Sequence, residues 1–344
     1  MTAFALACRG ALGHTAAVLR DGRARLLLAS AAAGALAYRA VPAGIALALG
    51  LRGLSLVLGA LPLCMVRPLG RALGGVVYHS RIRSAVARAN MRTFIQPTHG
   101  PPLERAACTQ LAHGLLLALQ PARRDALLLR RLSDPPELPD LLEDLRAGGV
   151  ILVSAHIGPW ELLPLLLPLV GHRGASIVYR PLHNRWLNAW VRRRRSRSGG
   201  TFLPDRGSAM ALESALRRGE LVCLLADQRP ARRAEYAPFL GRDTPFDAGF
   251  ARLHAATGAP VWFAVLLMSD AADWPTFALR LTRLAPRTDG AAPARAPAAL
   301  GEAALALLRA YASALDTAVR SAPSQYFWWH RRWKDEQPDE YAST

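Results

Sequence analysis

The sequence predicts an α/β fold: a mixed, mostly parallel central sheet flanked by helices, preceded by an N-terminal helical membrane-anchoring segment. Three observations predict it. Between residues 150 and 281, short apolar runs alternate with helical stretches, the pattern of strands joined by helical crossovers. Two of those stretches end in Gly219 and Gly258, the residue type that closes helices in the left-handed conformation. Ahead of them, residues 26–66 carry two apolar stretches with arginines crowded close behind.

In order, residues 1–25 are mixed and mildly basic, Leu26 to Ala37 is apolar, and Val41 to Val66 is apolar but broken by Pro42, Arg52 and Pro62. The uninterrupted part, Gly53 to Val66, is too short to span a hydrocarbon core ~30 Å thick. A tilted span, a re-entrant pair and an interfacial anchor all stay open, as does a helical hairpin buried against the rest of the chain. Arg67, Arg71, Arg81, Arg83, Arg88 and Arg92 follow, as expected on the cytoplasmic side of a membrane. Division into an anchoring segment, 1–66, and an α/β domain, 67–344, results. A helical pattern covers Leu69 to Phe94 and another Leu103 to Leu119; Asp140 to Arg146 is a short helix leading into Gly148-Gly149.

Strands are expected at Val150–Val153, Ala175–Tyr179, Thr201–Leu203, Leu221–Ala226, Pro260–Met268 and Thr276–Leu281, and helices at Asn184–Arg195, Ser208–Arg218, Gly249–Thr257 and Leu300–Val319. Arg287 to Ala299 reads as a loose Ala/Pro-rich excursion. In a parallel sheet, polar residues that follow strand ends collect in one crevice. His156, Arg180 and Asp227 each follow an apolar strand and are expected to converge there.

Composition narrows the partners. The chain has 344 residues, is 51% hydrophobic, and carries a formal net charge of +18, almost all from Arg. That charge implies an anionic partner: nucleic acid, an anionic membrane surface, or an anionic substrate or carrier. No nucleic-acid reading module is recognisable, and nucleic acid is not expected as the partner. The four cysteines, Cys8, Cys64, Cys108 and Cys223, show no metal or disulfide spacing, so neither a metal nor a bound cofactor is expected.

The sharpest motif is Ser154-Ala155-His156-Ile157-Gly158-Pro159-Trp160-Glu161. His156 and Glu161 stand about 140° apart in a helix and on opposite faces of a strand. Only a strand–turn–helix corner brings them together, and Gly158-Pro159 supplies one. A carboxylate in the first helical turn stays ionised. Glu161 is therefore expected to hold one imidazole nitrogen of His156 while the other takes a proton from a substrate hydroxyl. A structural histidine beside a helix-start glutamate is the plain alternative.

The order of motifs says more than any one of them. His-x4-Glu is followed by Tyr179-Arg180-Pro181 and an Arg-rich helix. Next come Ala226-Asp227-Gln228, Pro238-Phe239-Leu240-Gly241 and Thr257-Gly258-Ala259-Pro260-Val261, and the series closes on Gln325-Tyr326-Phe327-Trp328-Trp329-His330-Arg331-Arg332-Trp333-Lys334. From about Leu61 to Lys334 this resembles the late acyltransferases of lipid A biosynthesis, the lauroyl/myristoyl transferases, within the wider His-x4-Asp/Glu lysophospholipid acyltransferase superfamily. The wider group usually has Asp where this chain has Glu161, together with a later Glu-Gly motif that is missing here. Ile157-Gly158-Pro159 replaces the family's usual tripeptide after the histidine, which puts acceptor contacts near the corner in doubt.

The resemblance implies a glycerolipid acyltransferase-like fold and a bacterial inner-membrane enzyme with its catalytic domain on the cytoplasmic face. It implies transfer of an acyl chain from a thioester, on acyl carrier protein or CoA, to a hydroxyl of a lipid A precursor. His156 is then the general base, Glu161 its partner, and no acyl-enzyme forms. Arg180, one of Arg194, Arg195 or Arg197, Asp227, Gln228, His330, Arg331 and Arg332 are the implied substrate-binding residues. Three alternatives stay open: another glycolipid acceptor, a lysophospholipid acceptor, and a non-catalytic basic membrane-associated protein.

Overall fold

A computed structural model describes residues 43–92, 94, 100–170, 174–230, 233–269, 275–288 and 300–334. The N-terminal stretch to residue 42 and the Ala/Pro-rich excursion at 289–299 lie outside the described residues.

The apolar runs pair into one seven-stranded sheet. In chain order its strands are β1 (Leu132–Ser133), β2 (Val150–Ser154), β3 (Ala175–Tyr179), β4 (Thr201–Pro204), β5 (Leu221–Leu225), β8 (Val261–Met268) and β9 (Phe277–Ala285), and across the sheet they lie β1-β9-β8-β2-β5-β3-β4. All neighbours are parallel except β8 and β9. The expected mostly parallel sheet is what forms, because the central strands are apolar on both faces; Val150, Ile151 and Val153 are fully buried.

Two strands, β6 (Ala234–Phe239) and β7 (Arg242–Asp247), form a separate antiparallel hairpin that the sequence did not suggest. Pro238 and Pro245 sit inside them, and proline argues against a strand unless the strand lies at an edge.

Helices cover both faces: α1 (Ala43–Ala60), α2 (Val66–Ser80), α3 (Ser84–Arg92), α4 (Gly100–Ala118), α5 (Asp125–Leu129), α6 (Leu138–Ala147), α7 (Arg185–Arg195), α8 (Ala209–Arg217), α9 (Gly249–Thr257) and α10 (Glu302–Ser321). The single helical pattern from Leu69 to Phe94 is two helices. They break where Arg81 (φ 58°) and Arg83 (φ 51°) turn left-handed. After the His156 corner the chain forms a long 3₁₀ helix, Trp160–Val170, not an α-helix. Pro164 and Pro168 lie inside it and cannot donate to an α-helical ladder.

Among the described residues no helix is long and apolar enough to cross a membrane. α1 packs against α7, and its outer side leaves Leu49, Leu56 and Val57 more than half exposed.

Candidate active site

Strand register builds the centre of the site. β2 and β5 are adjacent and parallel, with Ser154 opposite Leu225. Two residues further along each strand stand His156 and Asp227. Equal offsets from one register pair bring them level, and His156 Nδ1 meets Asp227 Oδ1 at 2.8 Å. Asp227 is 2% exposed. Burial would raise its carboxyl, but the His156 imidazole and the Arg332 guanidinium outweigh burial and hold it below the usual carboxylate range. With Nδ1 committed to the carboxylate, Nε2 is the remaining ring nitrogen, 3.4 Å from Gln228 Nε2.

The corner behind His156 is clamped by the C-terminal motif. His156 O accepts from Phe327 N at 2.9 Å, and Gly158 N donates to Gln325 O at 2.8 Å. Gln325 in turn closes both backbone groups of Met268 at the end of β8, at 2.7 and 2.8 Å. Gly158 has to be glycine. Its φ is +61°, and a Cβ there would lie 1.9 Å from Leu266 O. Trp160 and Phe327 flank the imidazole edge-on or tilted, with centroids at 5.4 and 6.1 Å.

In front of His156 opens a cavity of about 820 Å³. Its inner walls are apolar, among them Leu141, Leu152, Leu163, Ile177, Phe202 and Leu281. Cys223 faces this cavity, and burial pushes its thiol up to about 12, so it is an inert wall residue. The cavity's polar lining is mainly cationic: Arg180, Arg195, Arg206, Arg229 and Arg233, against the carboxylates Glu161, Asp205 and Asp247.

The family model of the bacterial lipid A biosynthesis acyltransferases matches residues 40–335. The chain belongs to that family. Among curated proteins it is similar to a lipid A biosynthesis palmitoleoyltransferase of Escherichia coli (strain K12) and a lipid A biosynthesis acyltransferase of Shigella flexneri. Each is 29% identical over 188 residues, 54% of this chain and 56% of the relative. The matched stretch thus spans about half the length of those relatives.

Within this lipid A acyltransferase scaffold the residues implicated by the sequence fall into three environments. His156, Asp227 and Gln228 meet as described, and Arg180 stands at the mouth with its Nε 3.0 Å from Asp205. Glu161 is the first correction. It lines the same cavity, but its carboxylate is taken by Arg195, with Nε to Oε2 at 2.9 Å and a second contact from Nη2 to Oε1, and Asp227 holds the imidazole instead. The 3₁₀ start at Trp160 turns Glu161 toward α7, away from Nδ1.

Only Arg195 of the arginine run reaches the cavity. Arg194 donates to Ala118 O and Gln120 O, and Arg197 to Gln120 O at 2.9 Å while pairing with Asp125 at 2.8 Å. Both satisfy carbonyls left open at the C-terminal end of α4, where cations also complement the helix dipole. Burial lowers the Arg194 guanidinium to about 10.

His330, Arg331 and Arg332 do not line the cavity. Arg332 is 2% exposed, donates to Pro245 O and lies over the Phe246 ring at 4.3 Å. Asn90 Nδ2 donates to the carbonyls of Trp328 and His330 at 2.6 and 2.7 Å, and Trp333 Nε1 donates to Thr244 Oγ1 at 2.8 Å. The terminal aromatic–Arg cluster is therefore the wall behind the site.

Sequence reasoning missed Tyr311, which is fully buried and donates to Ser154 O at 3.0 Å from α10. Nothing local marks it, since it is one apolar-face position in an ordinary helix. It also missed Arg206, Arg229 and Arg233 at the mouth. Arg229 carried a signal, because it directly follows Ala226-Asp227-Gln228 past a strand end.

Proposed function

We propose that this protein is an O-acyltransferase that moves a fatty acyl chain from an acyl thioester to a hydroxyl of a lipid A precursor. One observation carries the reading: an imidazole fixed at Nδ1 by a buried carboxylate, on a residue that lines a cavity with largely apolar walls. His156 Nε2 takes the acceptor hydroxyl's proton as the oxygen attacks the thioester carbonyl, and the imidazolium returns it to the departing sulfur. Asp227 fixes the tautomer and balances the imidazolium, as the acid of a His–Asp pair does when substrate stands in place of the serine. The apolar cavity takes the chain; its size suits a single long ligand. Arg180, Arg195, Arg206, Arg229 and Arg233 suit phosphate groups on the acceptor or carrier, and Glu161 acts by holding Arg195 in place.

The carrier in this reading is acyl carrier protein, with CoA as the substitute. The site works at the cytoplasmic face of a bacterial inner membrane. Leu49, Leu56 and Val57 of α1 and Val76 of α2 are exposed and give the protein an apolar face for the headgroup region. Trp186, 43% exposed at the start of α7, and the exposed Arg192 and Arg193 extend that face with an aromatic and cationic flank suited to anionic lipid.

The test is acyl transfer in detergent from carrier-linked fatty acid to a tetraacylated, Kdo-bearing lipid A precursor, read by mass spectrometry. One added acyl chain with wild type and a loss of more than ~10³-fold in His156→Ala is the expected result. Transfer to a different lipid from a membrane extract keeps the chemistry and changes the acceptor. No transfer to any lipid by folded protein rejects the enzyme reading.

A further inference from the structure

Ser154 is the last residue of β2 and stands two positions before His156. It is 4% exposed, and its Oγ is buried without a hydrogen-bond partner among the described residues. Its backbone is fully used, because the carbonyl accepts from Tyr311 Oη at 3.0 Å and from Ala226 N at 3.2 Å. Only the hydroxyl is left over, on a residue that lines the cavity. Alternate residues of a strand share a face. Leu152, Ser154 and His156 accordingly step along one wall of the cavity, Ser154 lying roughly 6–7 Å inward of His156 along the chain.

A buried hydroxyl with no partner is unfavourable, and an alanine would fill this place in an otherwise apolar wall without that penalty. Among the described residues nothing uses the group. An acyl chain entering the cavity with its thioester at His156 passes its first atoms over Ser154, and the strongest acceptor among them is the carbonyl oxygen.

We propose that Ser154 is an oxyanion donor for the acyl thioester. This rests on acyl transfer at His156. The acceptor hydroxyl gives its proton to His156 Nε2, and its oxygen forms the new C–O bond. The carbonyl π pair moves onto oxygen, where the Ser154 hydroxyl, turned into the cavity about χ1, meets the developing charge with a hydrogen bond. Collapse of that oxyanion breaks the C–S bond, and the sulfur takes the proton from the imidazolium. Ser154 keeps its own proton throughout.

The experiment compares wild type, Ser154→Ala and Ser154→Thr with palmitoleoyl and 3-hydroxyacyl thioesters, His156→Ala serving as the dead control. Ser154→Ala is expected to lower kcat by about 10²-fold with both donors and to change KM for the thioester by less than about 2-fold. Its melting temperature stays level or rises, because an unpartnered buried hydroxyl is gone. Ser154→Thr, which keeps the hydroxyl, recovers most of kcat. The carbonyl stretch of a bound ¹³C-labelled thioester shifts to lower frequency in wild type and not in Ser154→Ala.

Wild-type kcat in Ser154→Ala overturns the proposal. So does a loss that tracks a falling melting temperature, since that is a packing role. So does a loss confined to 3-hydroxyacyl donors, since the hydroxyl then reads the chain and not the carbonyl. Each of these leaves acyl transfer itself intact, whereas a wild type that transfers nothing rejects both readings.

Discussion

The wall behind the site and its outer rim are built from the same residue types and behave differently. In that wall Asp227 is 2% exposed and bonded to His156, with the buried Arg332 near enough to depress its carboxyl. On the rim Glu161 and Arg195 are each about a quarter exposed and bonded to each other. Charge in the wall is nearly dry, so it interacts strongly and at fixed geometry; charge at the rim is screened and free to meet a ligand. One carboxylate serves the histidine and the other serves an arginine, although Glu161 lies closer to His156 in the chain. Distance along the chain says little about which groups share a dielectric.

Substitutions that spare shape sharpen the contrast. Asp227→Asn keeps the side chain's size and removes the charge that fixes the His156 tautomer. A fall in kcat of about 10²–10⁴-fold is expected, measured with a saturating thioester. Glu161→Gln belongs in the same experiment. If it matches Asp227→Asn at unchanged melting temperature, the proton path runs through Glu161 and the assignment of the two carboxylates is reversed.

The wall also makes a pH prediction. Burial, with the nearby Arg332 charge, lowers the His330 imidazole to about 4. A histidine with a depressed folded value leaves the unfolded chain binding more protons between pH ~6.5 and ~4. Stability is therefore full above that window and is lost as pH falls through it, by on the order of 3 kcal/mol. Urea titrations across this range in wild type and His330→Asn measure it, and the variant loses that part of the slope.

At the rim, Glu161→Gln is expected to lower kcat/KM only about 5-fold, chiefly through KM. A partly solvated ion pair is worth about 1 kcal/mol, and its loss frees Arg195 without touching the imidazole. Arg197→Met is expected to do the reverse, lowering stability by about 1–2 kcal/mol through the Gln120 carbonyl and Asp125 while leaving kcat/KM near wild type. The smallest effect is expected for Arg192→Ala with Arg193→Ala: stability within about 0.5 kcal/mol of wild type, with a larger loss of binding to anionic vesicles than to neutral ones. Equal losses of activity for Arg195→Met and Arg197→Met would erase the distinction between rim and framework.

Apolar runs made the sheet readable in advance. β2, β3, β5 and β8 are almost wholly apolar segments because both of their faces are covered, and their flanking glycines mark the ends. From that, the rule that residues after strand ends converge placed His156 and Asp227 in one crevice before any contact was known. The β6–β7 hairpin was not legible, because its charged and proline positions hide the strand alternation. Neither was the 3₁₀ path after Trp160, where the effect of Pro164 and Pro168 on the direction of Glu161 depends on what the segment packs against.

By itself, then, the sequence determined the α/β class, the histidine at a strand end and the order of motifs that resembles the lipid A acyltransferases, because these depend on local patterns of burial and turn chemistry. Tertiary structure alone decided which carboxylate holds His156, which one of Arg194, Arg195 and Arg197 faces the cavity, and that the Tyr326–Trp333 cluster is a wall. The reason in each case is strand register and packing. A side chain's partner is set by elements tens of residues away, such as β5 beside β2 or α4 beneath α7, and it is these that fix whether a charge is buried, paired or left free for substrate.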